Sequence, residues 1–96
     1  MSINNLVKAA HDNAVDKGFW DDGVEFGTLI ALVHSELSEA LEADRNGNFR
    51  GMVEELADVC IRVFDLCGHY GINLELAILE KMTKNKLRPH KHGKKY

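Results

Sequence analysis

Two pairs of carboxylates, Glu36 with Glu39 and Glu55 with Asp58, are the residues of this chain best suited to chemistry. The members of each pair are three residues apart in an apolar run of helical period, so they project from one helix face about a turn apart. Glu36 shares its face with Leu29, Leu32, Val33, Leu37 and Ala40, and Leu56, Val59, Cys60, Val63 and Phe64 surround the face near Glu55 and Asp58. An ionised carboxylate turned toward a core is costly unless it is paired or binds a metal. A single Glu-x-x-Glu carries little weight, whereas two such pairs on consecutive helices can be brought together by antiparallel packing. Oxygen ligands with no His or Cys nearby favour Mg²⁺, or Mn²⁺, over zinc. Mg²⁺ keeps several waters and is completed by substrate phosphates, so such a site would serve phosphate chemistry.

An ion-pair network is the competing reading. Arg62, Lys81, Lys84 and Arg88 are the available cations, and Asp58 with Arg62 forms a favourable i, i+4 helical pair. Spacing alone leaves both readings open. A di-iron carboxylate bundle needs Glu-x-x-His, which does not occur. Gly47 and Gly51 do not fit the G-x-x-x-x-G-K phosphate loop. His34, roughly opposite Glu36 on its helix, reads as structural. Cys60 and Cys67 lie seven apart without a CxxC and read as buried free thiols.

The elements that must position these groups are helical. Ile3, Leu6, Val7, Ala10 and Ala14 give a first helix over about Ile3 to Lys17, with one buried stripe. Residues Gly18 to Gly27 read as a loop with three glycines and three aromatic residues, where Phe19 or Trp20 could stack on a nucleobase or plug the bundle end. A second helix runs from about Glu25 to Asp44 and stops at Asn46-Gly47-Asn48. The third, about Phe49 to Gly68, is apolar over most of its circumference and belongs at the centre of a bundle or at a subunit interface. The fourth starts at Asn73 as N-cap, buries Leu74, Ala77, Ile78 and Met82, and is stopped by Pro89. Lys81, Lys84, Asn85 and Arg88 form a neighbouring stripe, within reach of the carboxylates if this helix packs beside the third. The expected fold is an all-α antiparallel bundle of about four helices in one domain, 1–96.

Ninety-six residues make a core that is marginal alone, so completion by oligomerisation is expected. The net charge of -3 conceals an asymmetry: residues 1–80 carry fifteen acidic and five basic side chains, residues 81–96 seven basic and no acidic ones. The acidic body argues against duplex nucleic acid as a partner. The basic tail 90–96, with His90 and His92, either folds back on anions, binds phosphate or is simply solvated. No apolar run is long enough to span a bilayer. Met1-Ser-Ile-Asn-Asn lacks the regions of a signal peptide, so a cytoplasmic location is the expectation.

The run His34-Ser-Glu-Leu-Ser-Glu-Ala-Leu-Glu-Ala43, followed by Glu54-Glu-Leu-Ala-Asp-Val59, resembles the MazG-like all-α nucleotide pyrophosphohydrolases in their short, single-domain form. Their signature Glu-x-x-Glu, a gap, then Glu-x-x-Asp stands here as Glu36, Glu39, fifteen intervening residues, then Glu55 and Asp58. A further element of that family appears as Lys81, Asn85 and Arg88, and the likeness extends from about residue 18 to the end. The resemblance implies a homodimer or homotetramer whose active site draws on helices of more than one subunit. It implies hydrolysis of a nucleoside triphosphate, a dNTP or noncanonical NTP, between the α and β phosphates to a monophosphate and pyrophosphate. On this likeness Glu36, Glu39, Glu55 and Asp58 hold Mg²⁺, Glu36 or Glu39 serves as general base, and Lys81, Asn85 and Arg88 contact phosphate. Trp20 is a candidate for the base. Phosphoribosyl-ATP pyrophosphohydrolase-like activity and a helical nucleotide-binding or dimerisation module without catalysis are the alternatives.

Overall fold

Apolar residues at helical period, separated by glycine and asparagine, produce four helices: α1 (Ile3–Asp16), α2 (Phe26–Arg45), α3 (Phe49–Tyr70) and α4 (Leu74–Leu87). A computed structural model describes residues 2–89, and every regular element among them is helical. The basic tail 90–96, with His90 and His92, lies outside the described residues. No helix among those described is long and apolar enough to cross a membrane.

The capping chemistry matches the pattern of the sequence. Ser2, Asn48 and Asn73 each accept a backbone N–H of the first turn they open, so α1, α3 and α4 begin on side-chain caps. Between α2 and α3 the chain reverses over three residues around Gly47, whose φ of 69° lies in the left-handed region. The Asn48 N–H bonds Ala43 O at 2.8 Å and the Gly47 N–H bonds Asp44 O at 3.0 Å, closing the last turn of α2 as a Schellman motif. α3 runs two residues beyond the expected Gly68, because the same motif forms at Gly71 instead, with Ile72 N–H bonding Cys67 O at 2.9 Å.

α3 is the central helix, packed along α2 on one side and α1 on another. Val7, Leu29, Leu66 and Cys67 form the buried centre, with Phe19, Trp20 and Phe64 against it. Gly68 is where α1 crosses: a Cβ there would lie 2.5 Å from the Cβ of His11. α1 has 14 residues and α3 has 22, about 21 Å against about 33 Å. The shorter helix therefore covers only the C-terminal half of α3. Phe49, Val53, Leu56 and Cys60, the same α3 stripe continued toward its N-terminus, stay exposed.

Several expectations are corrected. α4 packs chiefly on α1 rather than beside α3. Polar contacts fix its N-terminal end: the Ile3 N–H donates to Glu75 Oε1 at 2.9 Å, and Asn4 Nδ2 donates to Asn73 Oδ1 at 2.9 Å. Leu74 and Ile78 are half-buried, but Ala77 and Met82, expected in the buried stripe, are exposed because no helix faces them. Cys67 is buried, whereas Cys60 is exposed on the uncovered half of α3. His34 is exposed, not a core histidine. Arg62 leaves Asp58 for Glu36 on the neighbouring helix.

Replacing Gly68 by Ala tests the α1–α3 crossing. Its overpacking cost of about 1–3 kcal/mol, together with displacement of His11, should exceed the gain of about 1 kcal/mol in helix propensity. Thermal unfolding should show a lower melting temperature, and an unchanged or higher one would contradict the close approach.

Candidate metal centre and adjoining cleft

The α2–α3 hairpin brings together three of the four carboxylates. Glu36, Glu39 and Glu55 each offer an oxygen, and these atoms lie within 4.8 Å of one another. Asp58 is outside this trio, one turn farther along α3 and one methylene shorter, and it borders a cleft beside Glu36. Glu55 Oε2 is sealed from solvent and has no hydrogen-bond partner, the only such side-chain atom among the described residues.

Three carboxylates so close cannot all ionise cheaply. Hydrogen bonding to Glu36 and Glu39, reinforced by burial and their negative charge, pushes the Glu55 carboxyl up to about 7. Burial also works to raise Glu36. The hydrogen bond and charge of Arg62, with hydrogen bonds from Glu55 and Glu39, outweigh it and hold Glu36 below its ordinary value. Arg62 Nε–H donates to Glu36 Oε1 at 3.0 Å. No salt bridge joins Lys81, Lys84 or Arg88 to the four carboxylates among the described residues, so one cation serves the trio.

The cleft has a volume of about 380 Å³. On the α1 side it is bordered by Ala10, Asn13, Ala14 and Lys17, with Phe19 just beyond the helix. Its α3 side is formed by Asp58, Ile61, Arg62 and Asp65, and Glu36 reaches it from α2. Asp65 is buried, at 8% exposure, and its Oδ1 accepts from His11 Nδ1 at 2.9 Å and Trp20 Nε1 at 3.0 Å. Trp20 is occupied: its ring stacks on His69 with centroids 3.8 Å apart and planes 6° from parallel. Phe19, its neighbour, is the aromatic residue that borders the cleft. Lys81 and Asn85 on α4 and Arg88 just past its end are exposed, and none borders the cleft or belongs to the trio.

Sequence reasoning offered Arg62 as a cation for the four carboxylates without choosing Glu36, and it missed the α1 wall of the cleft and Asp65. Asp65 did leave a signal, being the single charge in Val63-Phe64-Asp65-Leu66-Cys67. The trio offers only hard oxygen donors, one of them buried without a partner, which fits Mg²⁺ or Mn²⁺ and does not fit zinc. No protein-family model, curated protein or solved structure matches the chain.

The raised Glu55 carboxyl sets a pH dependence. Between its ordinary value of 4.5 and about 7 the folded protein holds a proton that the unfolded chain has released. Its contribution to stability is therefore fully present below 4.5 and is lost as pH rises through about 7. Glu55→Gln, which carries no titrating proton, should flatten the fall in melting temperature between about pH 5 and about pH 8 in metal-free buffer. Parallel curves for the two proteins would show that Glu55 does not hold that proton.

Proposed function

We propose that the protein is a Mg²⁺-dependent nucleoside triphosphate pyrophosphohydrolase of the MazG-like kind. The observation that carries this reading is the trio Glu36, Glu39 and Glu55, with the partnerless, solvent-sealed Oε2 of Glu55 within it. A pure ion-pair network would have left that oxygen paired, and Arg62 neutralises only part of the cluster. Glu36, Glu39 and Glu55 would hold the ion, with Asp58 next along α3. Bound there, Mg²⁺ supplies Lewis acidity toward phosphate oxygens and lowers the pKa of a coordinated water.

The remaining steps belong to the chain's own groups. Glu36 or Glu39 accepts the proton of the attacking water. Arg62 gives only its Nε–H to Glu36, so the other N–H donors of its guanidinium serve phosphate oxygens at the cleft. Cleavage falls between the α and β phosphates of a dNTP or noncanonical NTP, leaving a monophosphate and pyrophosphate.

Lys81, Asn85 and Arg88 enter this reading through a second copy. Within one chain α4 packs chiefly on α1, while its Leu79, Met82 and Leu87 are exposed, as are Leu41, Phe49 and Val53 on the hairpin. A homodimer or homotetramer covers such surfaces and brings a cationic α4 toward an acidic hairpin. Light scattering should return at least twice the mass of one chain; a monomer at working concentration removes Lys81, Asn85 and Arg88 from the site.

A nucleotide panel with and without Mg²⁺, followed for pyrophosphate, tests the activity. Release should require the metal and fall in Glu36→Gln and Asp58→Asn by at least the roughly 10- to 100-fold that loss of an outer-shell partner costs a metal site. Wild-type turnover in both folded variants would sink the assignment. Mg²⁺ at about 100 times its dissociation constant should add about 2.7 kcal/mol of stability, and the rise in melting temperature should vanish in Glu55→Gln.

A further inference from the structure

Asp65 is the only charged or polar residue in the buried core among those described, and the metal trio does not use it. Its geometry is fixed from two sides. His11 and Trp20 both donate to Oδ1, and those two donors are themselves held by packing, Trp20 against the ring of His69 and His11 edge-on to both rings. Among the described residues Oδ2 has no hydrogen-bond partner and is not a sealed, unsatisfied atom, and Asp65 borders the cleft. The carboxylate therefore offers the cleft one preorganised acceptor oxygen.

Asp58, Arg62 and Asp65 follow one another at i, i+4 and i+7, a single stripe of α3 that spans about 10.5 Å. Asp58, next to the metal trio, marks the phosphate end of that stripe, Arg62 lies between, and Asp65 marks the other end. The separation is about that between the 5′-phosphorus of a nucleotide and the far side of its nucleoside. Ala10 and Ala14, small residues one turn apart on α1, leave the space between, and Phe19 provides an aromatic surface on its border.

Resting on the pyrophosphohydrolase reading, we infer that Asp65 is the specificity-determining residue of the cleft, accepting an N–H or O–H of the substrate's nucleoside. The ligand class is a nucleotide whose base carries an exocyclic amino group, or whose sugar carries the hydroxyl, that meets Oδ2. A nucleoside lacking the donor leaves a desolvated carboxylate oxygen unpaired, and such losses separate substrates far better than a missing methylene does.

Asp65→Asn is the diagnostic variant, because its amide oxygen still accepts from His11 and Trp20 while its other atom becomes a donor. Cytidine against uridine nucleotides tests the base, and ribose against deoxyribose tests the sugar. The wild type should prefer the donor-bearing member of one pair by between about 5- and 150-fold in kcat/KM, and Asp65→Asn should erase or invert that preference. A folded variant with wild-type ratios in both pairs overturns the inference and leaves the pyrophosphohydrolase reading standing. Binding of the corresponding nucleoside monophosphates, measured by calorimetry, needs no turnover, so it judges Asp65 even if no triphosphate is cleaved. Should Asp65→Asn fail to fold, wild-type binding that is equal within both pairs overturns the inference. Ala14→Leu, which fills the cleft, should abolish monophosphate binding while the Mg²⁺ effect on melting remains; undiminished binding also overturns it.

Discussion

Three carboxylates whose oxygens lie within 4.8 Å of one another repel, and the packing of α2 against α3 is what keeps them there. Apolar residues along both helices and the tight reversal at Gly47 supply the favourable terms. Arg62 and a proton on Glu55 relieve part of the repulsion. The rest of the site inherits this arrangement. Once the hairpin is set, Arg62 is directed to Glu36, Asp58 falls one turn beyond the trio, and Asp65 lies two turns beyond Asp58. The charge cluster is thus a local product of two consecutive helices, whereas the cleft beside it requires α1.

Much of this was legible in the residues. The three-residue spacing of the carboxylates, the apolar periods around them and the Asn-Gly-Asn stop are local signals, and the four helices they indicate are present within two residues at each boundary. The convergence of Glu36, Glu39 and Glu55 followed from the short connection between their helices. The placement of α4 was not legible, because its apolar pattern says only that a face should be covered and not by what. Ala77 and Met82 satisfy the pattern and remain exposed. The choice Arg62 makes among the four carboxylates was left open: Asp58 was favoured by spacing on one helix, but Glu36 across the hairpin prevails, a half-buried carboxylate with two other carboxyl groups beside it. His11 and Trp20 meet at Asp65 from sequence separations of 54 and 45 residues, which no local pattern encodes.

The two ends of α3 have different surroundings. Toward Tyr70 its apolar stripe is enclosed by α1 and the aromatic cluster around Trp20, and the crossing is close enough to require Gly68. Toward Phe49 the same stripe is bare. A helix of 14 residues cannot cover one of 22, so the chain alone leaves part of its longest helix without a partner. Cys60, on that bare half, is exposed, while burial raises the Cys67 thiol on the enclosed half.

The crossing at Gly68 also divides the site by where its information is stored. The carboxylates of the trio depend on some twenty consecutive residues that could change together without reference to α1. The acceptor at Asp65 depends on His11 in a helix that contributes nothing to the trio. Substitutions in α1 can therefore alter what the cleft admits while the charge cluster is untouched. A lineage of such chains can vary the cleft through the first helix and keep one carboxylate cluster throughout.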